Sequence, residues 1–160
     1  MLITIVPLHE RPEFVDACSA WAYGQWGVHA GRTLEETRLL FAGAAHGSGL
    51  PLTWVARHGD RPVGMASLAD NDCSKRPDLR PWLAAVLVHS DYRGRGIAAR
   101  LIETVERHAR ALGEDRLYLI TANGQTLYEH LGWCRVGMVD YPDRPCALME
   151  KLLAMTATHP

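Results

Sequence analysis

The sequence predicts an α/β protein with a mixed sheet flanked by helices. Apolar, strand-like runs are grouped, with helical patterns inserted between the groups. The run Trp82 to His89 is almost continuously apolar, as in a central strand covered on both faces. A glycine-rich turn then leads directly into a long amphipathic helix.

Taken in order, residues 2–6 read as a short apolar strand. Pro12 suits the first turn of a helix along which Phe14, Cys18 and Trp21 recur at helical spacing. Ala22 to Arg32, with its irregular glycines and alanines, reads as a loop. Thr33-Leu34-Glu35-Glu36 is a capping box, so a helix should run from there to about Ala45 and stop at Gly47. Residues 51–58 and 62–69 read as strands joined by the hairpin turn His58-Gly59-Asp60-Arg61. Residues 71–81 are polar, with Pro77 and Pro81, and read as a loop.

After the strand at 82–89, Ile97, Leu101, Val105, Ala109 and Leu112 make one apolar helical stripe. Glu103 with Arg107 and Glu106 with Arg110 form i,i+4 pairs on the wet side, and Gly113 ends the helix. Arg116 to Thr121 is a further strand. Asn123 suits the cap of a short helix ending at Gly132. Trp133 to Val139 and Cys146 to Leu152 close the sheet.

The 160 residues predict one domain over 1–160. A hydrophobic content of 48% excludes a disordered chain, and a net charge of −1 argues against nucleic acid as a partner. Met1 to Pro7 lacks a basic lead, and no apolar run approaches the ~20 residues of a membrane span. The expected location is the cytoplasm, away from the membrane. Cys18, Cys73, Cys134 and Cys146 are scattered without a C-x-x-C pair, which predicts free thiols. The eight histidines show no H-E-x-x-H spacing, so no metal is expected.

Tyr92-Arg93-Gly94-Arg95-Gly96-Ile97-Ala98 carries the chemistry. A glycine turn between strand and helix aims backbone N–H groups at one spot, where the helix dipole favours phosphate. Three phosphate turns compete. A P-loop needs G-x-x-x-x-G-K-[ST], which is missing. A dinucleotide turn needs a third glycine, where Ala98 and Ala99 stand instead. The R-x-x-G-x-[GA] turn of acyl-CoA-dependent N-acetyltransferases fits Arg93 to Ala98 at every required position.

With this turn the chain resembles the GNAT superfamily of N-acetyltransferases. The resemblance covers nearly the whole chain. It is strongest over Val86 to Ala98 and over Leu127-Tyr128-Glu129-His130-Leu131-Gly132-Trp133, which is similar to the family's F-Y-E-K-L-G-F segment. Leu117 to Thr121 leading to Leu127-Tyr128 is similar to the branch that acts on acidic peptide N-termini. The resemblance implies a mixed, mostly antiparallel sheet and acetyl-CoA as co-substrate. It implies that the backbone N–H groups of Arg93, Gly94, Arg95, Gly96, Ile97 and Ala98 hold the coenzyme pyrophosphate. Val86, Leu87 and Val88 would pair with the pantetheine arm as a strand does, and one of their N–H groups would polarise the thioester carbonyl. Tyr128 matches the general acid. Asn123 is assigned either to the coenzyme or to helix capping.

Many members of the family carry a glutamate on the central strand. Here no carboxylate occurs from Trp82 to His89. Asp70 and Asp72, acting through water, and His89 are the candidate bases. The acceptor surface is expected from Trp21, Tyr23, Trp26 and His29. Lys75, Arg76 and Arg80 either meet an acidic acceptor or belong to a solvated loop. The expected reaction is direct attack of a primary amine, on a small molecule or a peptide, by a monomer or homodimer. A non-catalytic acyl-CoA-binding regulator of the same fold is the alternative.

Overall fold

The computed structural model describes residues 1–46, 49–141 and 144–153. Its elements are β1 (Thr4–Pro7), α1 (Val15–Ala22), α2 (Leu34–Ala44), β2 (Leu52–His58), β3 (Arg61–Ala69), β4 (Trp82–Val88), α3 (Ile97–Ala111), β5 (Arg116–Thr121), α4 (Gln125–His130), β6 (Cys134–Tyr141) and β7 (Arg144–Leu152). This is the order read from the sequence. The chain forms two compact units, Met1–Leu68 with Ala85–Val105, and Ala69–Ala84 with the chain from Glu106 onward. Strand β4 and helix α3 each contribute to both. The strands are mostly antiparallel, with β4 and β5 the parallel pair.

In the first unit the strands neighbour one another in the order β1, β2, β3, β4. β1 starts two residues later than the apolar pattern suggests and ends on Pro7, which an edge strand tolerates. Gly59, at φ +60, turns the β2–β3 hairpin so that His58 faces Arg61. The core gathers Leu8, Phe14, Cys18, Phe41, Val55 and Met65, with Trp21, Ala85 and Leu87 packed against it.

The capping box forms as expected. Glu36 N–H donates to Thr33 Oγ1 at 3.0 Å, and Thr33 N–H donates to a Glu36 carboxylate oxygen at 3.1 Å. The stop expected at Gly47 lies outside the described residues. The loop expected over Ala22 to Arg32 forms only over residues 28–32; before it, α1 runs on into a wide helical turn over Tyr23–Gly27. Gly27 is the reason. It is buried, and a Cβ there would lie 3.1 Å from Thr37 Oγ1, so the bare backbone lets this turn lie directly on α2. Trp26, on this turn, is exposed.

In the second unit the order is β4, β5, β7, β6. Trp82 pairs with Tyr118 across β4 and β5, and β7 pairs antiparallel with both β5 and β6. Trp82, Tyr118, Val139, Leu148 and Cys73 form its core. The α3 stripe is buried at Ile97, Leu101, Val105 and Ala109, but Leu112 lies past the helix end and is exposed. Glu106, expected on the wet side with Arg110, is buried.

Asn123 is not the cap of α4. Gly124 holds that position with no side-chain bond, and the Gly124 N–H donates to Thr121 Oγ1 at 2.8 Å. The hydroxyl of the preceding strand end thus fixes the cap residue itself, and no side chain caps the first turn of α4. β6 begins at Cys134, one residue after the expected start at Trp133, because Gly132 at φ +91 swings Trp133 back toward α4.

Candidate functional site

Strand β4 changes character halfway along. Trp82, Leu83 and Ala84 are buried, whereas Val86, Leu87 and Val88 are half-buried. Between them Ala85 sits at φ +54, the one positive-φ non-glycine among the described residues. A left-handed alanine costs about 1–2 kcal/mol, and such strain clusters at functional sites. On β3, Gly64 lets the strands approach: a Cβ there would lie 3.1 Å from the Leu87 carbonyl oxygen and 3.2 Å from a Leu101 methyl.

Beyond β4, His89 N–H donates to the Val63 carbonyl at 2.8 Å, and His89 Nδ1 accepts the Asp91 N–H at 3.1 Å. His89 therefore caps the short turn Ser90–Tyr92. Arg93 Nε donates back to the Val88 carbonyl at 3.2 Å, closing the strand end. Gly94 and Gly96 both sit at φ +75, with nothing within 4 Å of where a Cβ would stand. The helical ladder of α3 opens with Arg100 N–H to the Gly96 carbonyl, 3.2 Å. The N–H groups of Ile97, Ala98 and Ala99 precede that ladder and have no intrahelical acceptor. The guanidinium of Arg95 lies 5.2 Å from the Tyr92 ring centroid and that of Arg61 5.4 Å, while the Tyr92 phenol pairs with His58 Nδ1 at 3.0 Å. Open glycine backbone, first-turn N–H groups and held arginines make a cradle suited to phosphate. The sequence-predicted residues Arg93 to Ala98 are brought together here, at the end of the strand segment 86–88.

Tyr128 lies on α4 and is 9% exposed. Burial pushes its phenol up to about 12. The Tyr128 carbonyl accepts the N–H groups of Leu131 at 3.0 Å and Trp133 at 2.9 Å, and its ring meets the Trp133 indole edge-on, 6.1 Å between centroids. Trp133 in turn donates its indole N–H to Glu106, which pairs with Lys151. This side-chain chain is missed by sequence reasoning, because a buried Glu106 looks the same as a wet one in an i,i+4 pattern. Asn123 sits in the turn before α4 and is exposed.

Asp70 and Asp72 lie between β3 and β4. Asp70 forms an ion pair with Arg80, both largely exposed. The loop that holds Asp72 is organised by Asn71, which accepts the Cys73 N–H at 3.0 Å and donates to the Arg76 and Leu79 carbonyls. The loop cations are internally engaged. Arg76 forms a two-point pair with Asp78; Lys75 donates to the Asp140 carbonyl and lies 5.2 Å from the Tyr141 ring centroid. The Tyr141 hydroxyl donates to Cys73 Sγ at 3.2 Å. In the first unit, Trp21 and Tyr23 are half-buried and His29 is exposed.

A family model described as the acetyltransferase (GNAT) family matches residues 13–133. The chain is 33% identical over 88 residues to N-acetyltransferase 8B of Homo sapiens, a stretch covering 52% of this chain and 39% of that protein. The chain thus matches well under half the length of that curated relative. A crystal structure of aminoglycoside 6'-acetyltransferase type Ii superposes with a TM-score of 0.72 at 21% identity, covering 96% of this chain and 98% of the other. A chain of the NatC complex bound to Gag peptide and CoA superposes with a TM-score of 0.71 at 20% identity, covering 96% and 100%. An aminoglycoside 6'-N-acetyltransferase complexed with coenzyme A gives 0.71 at 17% identity, covering 96% and 98%. At these identities the superpositions show the fold.

Proposed function

We propose that this chain, which belongs to the acetyltransferase (GNAT) family, is an acetyl-CoA-dependent N-acetyltransferase in which a primary amine attacks the thioester directly. The observation that carries the reading is the open, N–H-rich turn at Gly94 and Gly96 after the kink at Ala85. Nothing crowds those glycines, so a pyrophosphate has room against the backbone.

When bound, acetyl-CoA supplies an activated acyl carbonyl and a thiolate leaving group. In this reading the backbone N–H groups of Arg93 to Ala98 hold the pyrophosphate, with Asn123 a further coenzyme contact. Val86, Leu87 and Val88 offer the pantetheine arm a strand edge, and an N–H of that edge donates to the carbonyl oxygen as it gains charge. The Tyr128 phenol, held up to about 12 by burial, carries its proton throughout the neutral range. The same burial makes it a weaker acid than a free phenol. Its part is therefore hydrogen-bond donation to the sulfur as charge develops, with proton transfer late. Asp70 and Asp72 remove the amine proton through water. An α-amine, with a pKa of about 8, needs little of this help.

The acceptor is an amine-bearing small molecule or a peptide N-terminus. The partial likeness to an N-acetyltransferase and the superposition on a peptide-bound complex and on aminoglycoside enzymes support both classes. We place the protein in the cytoplasm as a monomer or homodimer. No disulfide joins the described cysteines, and no described helix is long and apolar enough to cross a membrane.

The absence of a carboxylate from Trp82 to His89 favours one second reading, an acyl-CoA-binding regulator without turnover. Thiol release from acetyl-CoA across aminoglycosides, polyamines and peptide N-termini separates the two. Release with one amine class, lost by about 10²-fold or more in Tyr128→Phe, supports the enzyme. Tight acetyl-CoA binding with no release across the panel supports the regulator.

A further inference from the structure

We propose that the buried ion pair Glu106–Lys151 is a positioning device for Tyr128, holding the turn against which the phenol ring packs; the inference rests on Tyr128 being the acid. Glu106 lies on α3 with 6% of its side chain exposed, and Lys151 lies on β7. Lys151 Nζ donates to Glu106 Oε1 at 2.7 Å and to the Leu131 carbonyl at 2.7 Å. Glu106 Oε2 accepts the indole N–H of Trp133 at 3.3 Å. One carboxylate and one ammonium thus grip both ends of the three-residue turn Leu131-Gly132-Trp133.

That turn is what fixes Tyr128. Its two flanking residues donate their N–H groups to the Tyr128 carbonyl, and the Trp133 ring forms the edge-on wall of the phenol. The Leu131 carbonyl stands at the end of α4, where a carbonyl has no intrahelical donor and a cation is favoured. Gly132 at φ +91 leaves its Cβ side to the Lys151 stem, 3.5 Å away, so the turn and the lysine fit each other. A buried ion pair is poor evidence for stability, since apolar replacements of the same volume are often as stable. What the pair supplies is one arrangement of the turn. It reaches the phenol only through Trp133, so Glu106 and Lys151 are positioning residues and touch no reacting atom.

Trp133 gives a second variant. It occupies the last place of the segment similar to F-Y-E-K-L-G-F, where phenylalanine is the family pattern, so Trp133→Phe keeps an aromatic ring at the buried position while it deletes the N–H together with part of the indole. The experiment makes Glu106→Gln and Trp133→Phe, each alone and combined with Tyr128→Phe, in the full chain. Thiol-release kinetics are measured with an amine identified by the panel above. Each single variant should lower kcat roughly tenfold, short of the hundredfold that a misplacement of about 1 Å can cost, and leave the KM for acetyl-CoA unchanged. In the Tyr128→Phe background neither should lower kcat further, because the group they position is gone.

A second readout needs no turnover. In protein labelled with 3-fluorotyrosine, the Tyr128 line is the one of five that vanishes in Tyr128→Phe. That line should move in Glu106→Gln. An equal loss of kcat in both backgrounds, or a fluorine line that stays in place, overturns the proposal while leaving Tyr128 as the acid. Full turnover in Tyr128→Phe overturns the acid assignment itself, and the positioning role falls with it. If Glu106→Gln does not fold, Trp133→Phe carries the same comparison.

Discussion

Gly124 and Tyr128 fit against each other with no space for a methyl group. A Cβ on Gly124 would lie 3.1 Å from Cε2 of Tyr128 and 2.8 Å from Thr121 Oγ1. The φ of Gly124 is −99°, which any residue accepts, so the requirement for glycine is steric. Gly124→Ala should cost about 1–3 kcal/mol by overpacking and push the phenol off its position. Thermal unfolding should show the lower Tm. Kinetics should show a fall in kcat with acetyl-CoA affinity intact. Wild-type values of both Tm and kcat would mean that the ring has room to move aside.

The glycines of the phosphate turn pose the opposite case. Gly96 has open space around its Cβ position but sits at φ +75. Gly96→Ala therefore costs about 1–2 kcal/mol through backbone conformation alone, and any relaxation of the turn re-aims its N–H groups. Acetyl-CoA affinity should fall together with stability. Gly43 is the internal control. It lies on exposed α2 backbone with equally open space and no positive φ, so Gly43→Ala should gain about 0.5–1 kcal/mol and leave affinity untouched. Calorimetric unfolding with titration of acetyl-CoA checks both. Equal behaviour of the two variants would remove the special role of the turn.

Alkaline stability follows from two buried acids. Burial raises the Tyr128 phenol from 10.0 to about 12 and the Cys18 thiol from 9.0 to about 12. Each keeps its proton in the folded chain after the unfolded chain has released it. Their stability contribution is whole below about pH 9. It is then lost as pH rises, from about 9 to 12 for Cys18 and from about 10 to 12 for Tyr128. Two pH units at Tyr128 correspond to about 3 kcal/mol. Urea midpoints should therefore fall steeply above pH 10 in the native protein and less steeply in Tyr128→Phe. Parallel curves would show that the phenol is not desolvated. In the same reading the rate shows no limb from Tyr128 below about pH 10.

Much of this architecture is written in local pattern. The capping box at Thr33, the turn at Gly59 and the limits of β5 at Arg116 and Thr121 need only near neighbours, and they form where the pattern puts them. The errors fall where a distant contact decides. The helical turn at Tyr23–Gly27 packs so closely that a Cβ on Gly27 would lie 3.1 Å from Thr37 Oγ1, a contact absent from the stretch 22–32 itself. Glu106 is drawn inward by Lys151, 45 positions along the chain. The cap expected from Asn123 falls one residue on, at Gly124, whose N–H is held by Thr121 from the end of β5. The kink at Ala85 has no signal at all, because an alanine in an apolar strand run carries no hint of a positive φ. The open glycine turn at Gly94 and Gly96 is legible because glycine spacing is itself the structural device. The acceptor side is not, because exposed aromatics and self-paired loop charges such as Arg76 with Asp78 do not name a ligand.

Tyr92 offers a test of the cradle that leaves the chemistry alone. Its ring is buried and lies under two guanidinium groups, those of Arg95 and Arg61, with His58 on its hydroxyl. A guanidinium over an aromatic face gains about 0.5–1 kcal/mol at an exposed site, enough to keep Arg95 near the turn in place of sampling solvent. Tyr92→Leu keeps apolar volume under the turn but removes both the π face and the hydroxyl. Arg95 then loses its platform, and its charge spreads over many rotamers. Acetyl-CoA binding should weaken about twofold to fivefold, the ratio that such an energy implies, with kcat at saturating coenzyme unchanged. The weakening should shrink as salt rises, because a charge held near phosphate is screened. Isothermal titration at low and high salt, with kcat measured in parallel, reads each part. A lower kcat at saturation would mean that Tyr92 supports more than the phosphate turn, and unchanged affinity at low salt would mean that Arg95 needs no platform.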